Sequence, residues 1–426
     1  MPTLLFVTYG GGHARMLIPV IQALQQHSAL NIQVLALTTA AAMFKDHNIA
    51  CHGFLDFVTA DDTQALAIGE RLAATHHRDE SGIAKEESIA YLGLSYHDMV
   101  QRLGEQRARE QFEREGRQAF IPISVMERVL DRIRPDLVVV TNSPRSERAV
   151  VEVARRRSIP SIALVDLFGM LHFHVLEADY LFVMSEKVID NLEREGVRVP
   201  RQNYRLIGNP AFDAAYDYRG NRNTEWLRMH LPQLPNGMKT LLWVDMPAYW
   251  HVPSLTLHQR SEEEVIRDLE DWAAACISCD AALLIRPHPS QPRAPYDRWL
   301  KNRSMPHAYY AGNLPLYPLL SAVDAVSTYT STVGLEAVLM EKPLIQLQYY
   351  EGPCDMPLAA WGLAWQVSSP SGMAAALKGA LYDTTATRSH QATARKLLPQ
   401  EKAAPAAARA IIEILSRHTG NKILEN

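Results

Sequence analysis

Residues 316–348 read LYPLLSAVDAVSTYTSTVGLEAVLMEKPLIQLQ. The stretch parses as a half-buried turn of helix, a strand at 325–327, a hydroxyl-rich turn, a helix and a second apolar strand. The turn holds Ser327, Thr328, Thr330, Ser331 and Thr332, with Gly334 and Glu336 in the opening of the helix. A helix start presents unpaired N–H groups and the positive end of the helix dipole. Hydroxyls and a glycine there suit a phosphate or diphosphate. Glu336, one turn further in, is placed to accept hydrogen bonds from ribose hydroxyls.

The same βα rhythm runs outward in both directions. Residues 3–8 (TLLFVT) are a continuous apolar run of strand length, as a buried parallel strand requires. The loop Tyr9-Gly10-Gly11-Gly12-His13 follows, then helical periodicity over 14–26 and a second strand at 32–37. The chain therefore opens as βαβ, the start of a doubly wound sheet. Further strands are expected at 137–140, 161–165 and 180–184. Leu206-Ile207-Gly208-Asn209-Pro210, with Asp213 just after, combines a glycine, a turn-forming Asn and a Pro, and marks a domain junction. A second series starts with a strand at 240–244, an amphipathic helix at 262–275 and a strand at 282–285 that Arg286-Pro287-His288-Pro289 ends. A last helix is expected at 405–416. Residues 64–120 break the rhythm. They are polar and dense in i, i+4 opposite charges, and predict a helical insertion.

A chain of 426 residues is too long for one ordinary core and suits two α/β domains with extras. The formal net charge of -4 argues against a mainly electrostatic nucleic-acid binder. Four scattered cysteines make no disulfide framework, and Cys276-x-x-Cys279 reads as the end of a buried helix. No apolar run approaches the ~18 residues of a spanning helix. The opening residues lack the basic segment of a signal peptide, so a cytoplasmic location is expected.

Four constellations carry chemistry. Gly10, Gly11 and Gly12 let backbone approach a ligand closely. His13 then stands at a helix start on the sheet edge where α/β proteins bind ligands, which makes it the candidate general base. The pattern is not G-x-G-x-x-G, because Arg15 takes the third position, and no acid ends the second strand; a nicotinamide cofactor is disfavoured. Two prolines hold Arg286 and His288 at a strand exit, where they suit a diphosphate. Within 142–148 (NSPRSER), Ser143 and Pro144 suit an N-cap and first helical position, and Arg145 suits an anionic acceptor or sugar carboxylate. Residues 245–251 (DMPAYWH) offer Asp245 and aromatics as sugar or base contacts.

These pieces, in this order, resemble the GT-B superfamily of nucleotide-sugar enzymes. The strand–Gly10-Gly11-Gly12-His13–helix opening is similar to the acceptor-side loop of that fold. Ile207-Gly208-Asn209-Pro210 with Asp213 resembles the GNP-x-x-D junction of its epimerase-like and lipid-disaccharide-synthase-like branches. Arg286 to Pro289 resembles the HP motif of capsule-type sialyltransferases, polysialyltransferases and CDP-glycerol transferases. Residues 327–336 with Lys342-Pro343 resemble the donor-site stretch, with Glu341 where glycine is common.

The resemblance implies an α/β fold of two Rossmann-like doubly wound domains facing a central cleft. The acceptor domain spans 1–210 with the insertion at 64–120, the nucleotide-donor domain 211–400, and a C-terminal helix and tail 401–426. It implies a glycosyltransferase of surface polysaccharide biosynthesis, moving a sugar from a CMP- or UDP-linked donor to a glycan or glycoconjugate; the HP motif tilts the donor towards cytidine. In this reading Arg286, His288, Thr330, Ser331, Thr332, Gly334 and Glu336 hold the nucleotide, His13 and His288 are catalytic, and Gly11, Gly12, Arg145 and Asp245 face the acceptor. Without a D-x-D motif the expectation is metal independence and no cofactor beyond the nucleotide-sugar co-substrate. Partners are a nucleotide sugar and a glycan acceptor, with no nucleic acid; peripheral association with the inner membrane face and the oligomeric state stay open. A UDP-N-acetylhexosamine 2-epimerase or nucleotide-sugar hydrolase of the same fold is the alternative, and a non-catalytic binding subunit the second.

Overall fold

The computed structural model describes residues 1–141, 144–166, 178–246, 261–289, 291–302, 305–349 and 356–420. They fall into two units, Met1–Ala211 with Glu401–Asn426, and Phe212–Gln400. Each is built on a six-stranded sheet in which every paired strand is parallel. The α/β expectation therefore holds.

In the first unit the strands are β1 (Thr3–Tyr9), β2 (Asn31–Leu37), β3 (Leu137–Thr141), β4 (Ser161–Leu164), β5 (Tyr180–Val183) and β6 (Tyr204–Leu206). Their order is β2-β1-β3-β4-β5-β6. The direction of winding reverses between β1 and β3, so the loops after these strands share the crevice where ligands bind such sheets. Register sets Val7 beside Val140, which brings Tyr9 and Thr141 to one edge. β1 and β3 are apolar along their length because helices cover both faces. The core here joins β1, the helix Gly11–Leu24 and the last helix, Ala403–Thr419. C-terminal Ile411, Ile414 and Leu415 are fully buried in it, each worth about 2 kcal/mol of apolar burial. The C-terminal helix is thus part of the first unit.

The second unit has β7 (Lys239–Val244), β8 (Ala281–Arg286), β9 (Ala308–Tyr310), β10 (Ala325–Thr328), β11 (Leu344–Leu347) and β12 (Trp365–Val367). The order β12-β11-β10-β7-β8-β9 reverses between β7 and β10. Val244 pairs in register with both Arg286 and Thr328, so three strand exits are level at that point.

The polar segment expected as an insertion forms the helices Thr63–His76, Lys85–Leu103 and Glu105–Glu115. The first two cross at Gly69 and Gly93, whose Cα atoms are close enough that a Cβ on either would touch the other. Aromatic rings run from the insertion to the end of β1: Phe112 stacks on Phe120 at 5.4 Å, Phe120 meets Tyr91 at 5.9 Å, and Tyr91 meets Tyr9 at 5.8 Å. No helix among the described residues is long and apolar enough to cross a membrane.

Candidate functional site

At the β1 exit, Gly10 takes φ +86°, a conformation open to glycine, and the helix begins at Gly11. The Gly11 amide donates to Thr39 Oγ1 at 3.1 Å, and a side chain at Gly11 would press on Met43. Gly12 faces open space. His13, half-buried, lies in the first turn, and its Nδ1 is 2.6 Å from Thr141 Oγ1 at the end of β3. Thr141 Oγ1 donates to Glu147 Oε2 at 2.6 Å, and the Thr141 amide donates to the same oxygen at 2.7 Å. The Tyr9 amide donates to Glu147 Oε1 at 2.9 Å. Glu147 and Thr141 have no exposed surface. One carboxylate therefore fastens both strand exits that flank the reversal and reaches His13 through a hydroxyl.

Arg145 is the N-cap of the helix Ser146–Arg156, so that helix starts later than the Ser143-Pro144 pair predicts. Asn142 and Ser143 lie outside the described residues. The Arg145 guanidinium lies 3.7 Å from the Tyr9 ring centre and donates to Gln118 Oε1 at 2.9 Å. It is therefore beside the His13 loop, stacked on an aromatic face that favours a cation.

In the second unit, Ser331 caps the helix Thr332–Leu339, its hydroxyl accepting from the Val333 amide at 3.3 Å. The Gly334 amide donates to the Ser331 carbonyl at 2.9 Å. The amide and hydroxyl of Thr330 both point at Met246 Sδ, at 3.3 and 3.1 Å. A thioether is a weak acceptor, so these donors are readily given up to an oxyanion. Gly334 is revised: it is buried, its amide is taken, and a Cβ would sit 2.9 Å from Thr328 Cγ2. Its role is close packing of helix on strand. Glu336, 6% exposed, accepts from Tyr317 Oη at 2.8 Å.

Arg286 Nη1 donates to the carbonyls of Leu314 at 2.7 Å and Ala311 at 3.3 Å. Burial lowers the Arg286 pKa, while the Glu336 carboxylate acts to raise it. Burial also holds the His288 pKa below its ordinary value, favouring the neutral ring. Asp245 is revised as well. It is 1% exposed, its Oδ2 accepts from Tyr296 Oη at 2.6 Å and its Oδ1 from the Met246 amide at 2.8 Å. A carboxylate so engaged orders the β7 exit and does not face an acceptor. The aromatics expected beside it, at 249 and 250, lie outside the described residues. Among the described residues no group of three or more His, Cys, Asp or Glu is arranged to hold a metal ion.

Arg286, His288, Thr330, Ser331, Thr332 and Glu336 thus gather at one edge of one sheet, and Gly11, Gly12, His13 and Arg145 at one edge of the other. Sequence reading assigned no role to Thr141, Glu147, Tyr317 or Met246. Glu147 lies six residues beyond the end of β3, in the first turn of a helix, and no local pattern marks it as buried.

Residues 254–388 match the family model of capsule polysaccharide biosynthesis proteins. A search of curated proteins found no match. Among solved structures, UDP-GlcNAc 2-epimerase from Neisseria meningitidis, bound to UDP-GlcNAc, is similar at a TM-score of 0.56 and 16% identity, over 97% of this chain and 100% of that one. UDP-GlcNAc 2-epimerase from Methanocaldococcus jannaschii gives 0.57 and 14%, over 96% and 99%. The glycosyltransferase SnogD from Streptomyces nogalater gives 0.51 and 13%, over 97% and 99%. The chain has the GT-B fold. Within that fold, the span that matches the capsule family contains Arg286, His288, the turn 330–332 and Glu336.

Proposed function

We propose that this chain is a metal-independent glycosyltransferase that moves a sugar from a nucleotide-activated donor to a glycan or glycoconjugate in surface polysaccharide biosynthesis. The observation that carries the reading is that the span similar to capsule biosynthesis proteins, 254–388, includes the β8 exit with Arg286 and His288 and the turn 330–332 after β10, two exits level with each other across β7.

In this reading the second unit holds the donor. The hydroxyls of Ser331 and Thr332, the Thr330 donors released by Met246, and Arg286 with His288 surround the phosphate, and Glu336 takes the ribose. The first unit holds the acceptor, with Arg145 beside an anionic group on it. His13 Nε2 removes the proton from the acceptor hydroxyl as its oxygen bonds to the anomeric carbon. The bond from that carbon to the phosphate oxygen breaks, and its electron pair leaves with the nucleotide. Arg286 and the donors gathered at the phosphate stabilise that charge. A single displacement of this kind inverts the anomeric centre. In this reading the protein works in the cytoplasm.

Similarity in fold to two 2-epimerases favours a second reading, epimerisation or hydrolysis of a nucleotide sugar. Melting curves with CMP, CDP, UDP, GDP and ADP test both, because a ligand of the folded state raises the melting temperature by mass action. Cytidine selectivity supports a capsule-type transferase, and uridine selectivity shifts the donor to a UDP-hexosamine. Nucleotide release that requires an acceptor identifies a transferase; release or epimerisation without one identifies the second reading. Failure to bind any of the five nucleotides, with or without an acceptor, favours the non-catalytic binding subunit.

A further inference from the structure

We infer that Thr141 and Glu147 are positioning residues that fix the tautomer and ring plane of His13; the inference rests on His13 being the base. The assignment follows from counting protons. A hydroxyl has one hydrogen to donate, and a carboxylate only accepts. Thr141 Oγ1 is 2.6 Å from Glu147 Oε2 and 2.6 Å from His13 Nδ1. The hydroxyl hydrogen therefore goes to Glu147, and the oxygen lone pair receives a hydrogen from Nδ1. His13 then carries its proton on Nδ1 and presents the Nε2 lone pair outward. A general base requires that tautomer.

Burial supports a role beyond fastening the loops. Taking a carboxylate out of water costs several kcal/mol, and Glu147 is fully buried. The two backbone amides it receives, from Tyr9 and Thr141, belong to the two strands that flank the sheet reversal. The hydroxyl link carries that anchoring on to the imidazole. As the ring takes up a proton in the reaction, the carboxylate behind Thr141 stabilises the charge through the same path.

Two experiments on the full chain test this. The first needs no substrate: long-range proton–nitrogen NMR on histidine-labelled protein at about pH 8.5, where an ordinary imidazole of pKa ~6.5 is neutral. His13, identified by its loss in His13→Gln, should show the Nδ1–H form, and Thr141→Val should lose that preference. A wild-type Nε2–H ring overturns the assignment. The second is kinetic. Thr141→Val should lower kcat by about tenfold or more while leaving donor KM and nucleotide affinity unchanged. Thr141→Ser, which keeps the hydroxyl, should recover to within roughly threefold of wild type.

In a His13→Ala background Thr141→Val should have no further effect, since the two act as one unit. If Thr141→Val lowers kcat equally with and without His13, or leaves it unchanged where His13→Ala impairs it, the relay is only a structural fastening. If His13→Ala itself keeps full activity, the assignment of the base is wrong, whatever the tautomer.

Discussion

Replacing Gly93 by alanine should force apart the two crossing helices of the insertion, and the size of the effect follows from one distance. A Cβ at Gly93 would lie 2.1 Å from the carbonyl oxygen of Ala65 and 3.0 Å from the Cα of Gly69. The first distance is about 1.3 Å short of the 3.4 Å at which ordinary contact begins. Both obstacles are backbone, so no side chain can turn aside, and the helices Thr63–His76 and Lys85–Leu103 must move apart. Overpacking of this kind costs about 1–3 kcal/mol, and the rigidity of both walls puts it at the upper end. Alanine recovers about 1 kcal/mol of helix propensity over glycine. The net loss is about 2 kcal/mol, or roughly 4–8 °C in the melting of a unit this size. Gly69→Ala should do the same, since its Cβ would lie 2.1 Å from the Ile89 carbonyl. The double variant should cost little more than either single one, because the first methyl has already opened the crossing. Gly12→Ala is the control of opposite sign: it is helical, meets no atom within 4 Å, and should not lower the melting temperature. Scanning calorimetry of the four variants decides it. A Gly93→Ala protein that melts at or above wild type would show that the helices do not cross this closely.

Four further outcomes are expected. His288→Ala should weaken nucleotide binding by more than about tenfold, or 1.4 kcal/mol. Because burial depresses the His288 pKa, the wild type should bind more tightly as the pH falls below its ordinary value of about 6.5. There the ring takes up a proton against phosphate; titration calorimetry of His288→Asn, in which the nucleotide's own titration is unchanged, should lack that gain. Glu336→Ala should bind CMP and its 2′,3′-dideoxy analogue equally, whereas wild type prefers the ribonucleotide; an undiminished preference would remove Glu336 from the ribose. Lys342 is pushed by burial down to about 8, so between pH 8 and 10.5 the unfolded chain holds a proton that the folded one has released. Stability should rise with pH across that window, and urea melts of Lys342→Met should lack that rise.

The parts of this molecule legible in sequence are those whose determinants are local. β1, β3, β7 and β8 are apolar runs bounded by turn residues, and the turn 328–332 joins a strand and a helix adjacent in the chain. β9 and β12 are three residues each, and Trp365 and Gln366 of β12 stay accessible. Edge strands this short have no periodicity to read. Asp245 shows a different limit. Beside a run of aromatics it reads as a ligand contact, but Tyr296, 51 residues away, turns it into the core. The start of the helix after β3 shows another: Ser143-Pro144 has the composition of a cap, yet Arg145 takes that place. His13 and Thr141 are 128 residues apart, and their meeting depends on β3 lying next to β1, which neither segment specifies alone.

On the function proposed, that adjacency also explains why the two sheets would support different work. In the second unit the reversal between β7 and β10 places a helix start directly beside the exits of β7 and β8. The available groups are amides, hydroxyls, Arg286 and a histidine kept neutral by burial, which suit an anion that arrives and leaves. In the first unit the reversal between β1 and β3 brings two exits onto one buried carboxylate. The groups there are fixed to each other, not open to an anion, and Gly12 meets no neighbouring atom. A glycine without a side chain and without neighbours leaves room next to His13 for something large. Nucleotide recognition needs a repeated, charge-matched cradle, whereas deprotonating one hydroxyl of a bulky glycan needs one aligned nitrogen and space around it. The two edges divide those requirements, and for that reason damage to His288 should be read in nucleotide affinity and damage to Thr141 in kcat.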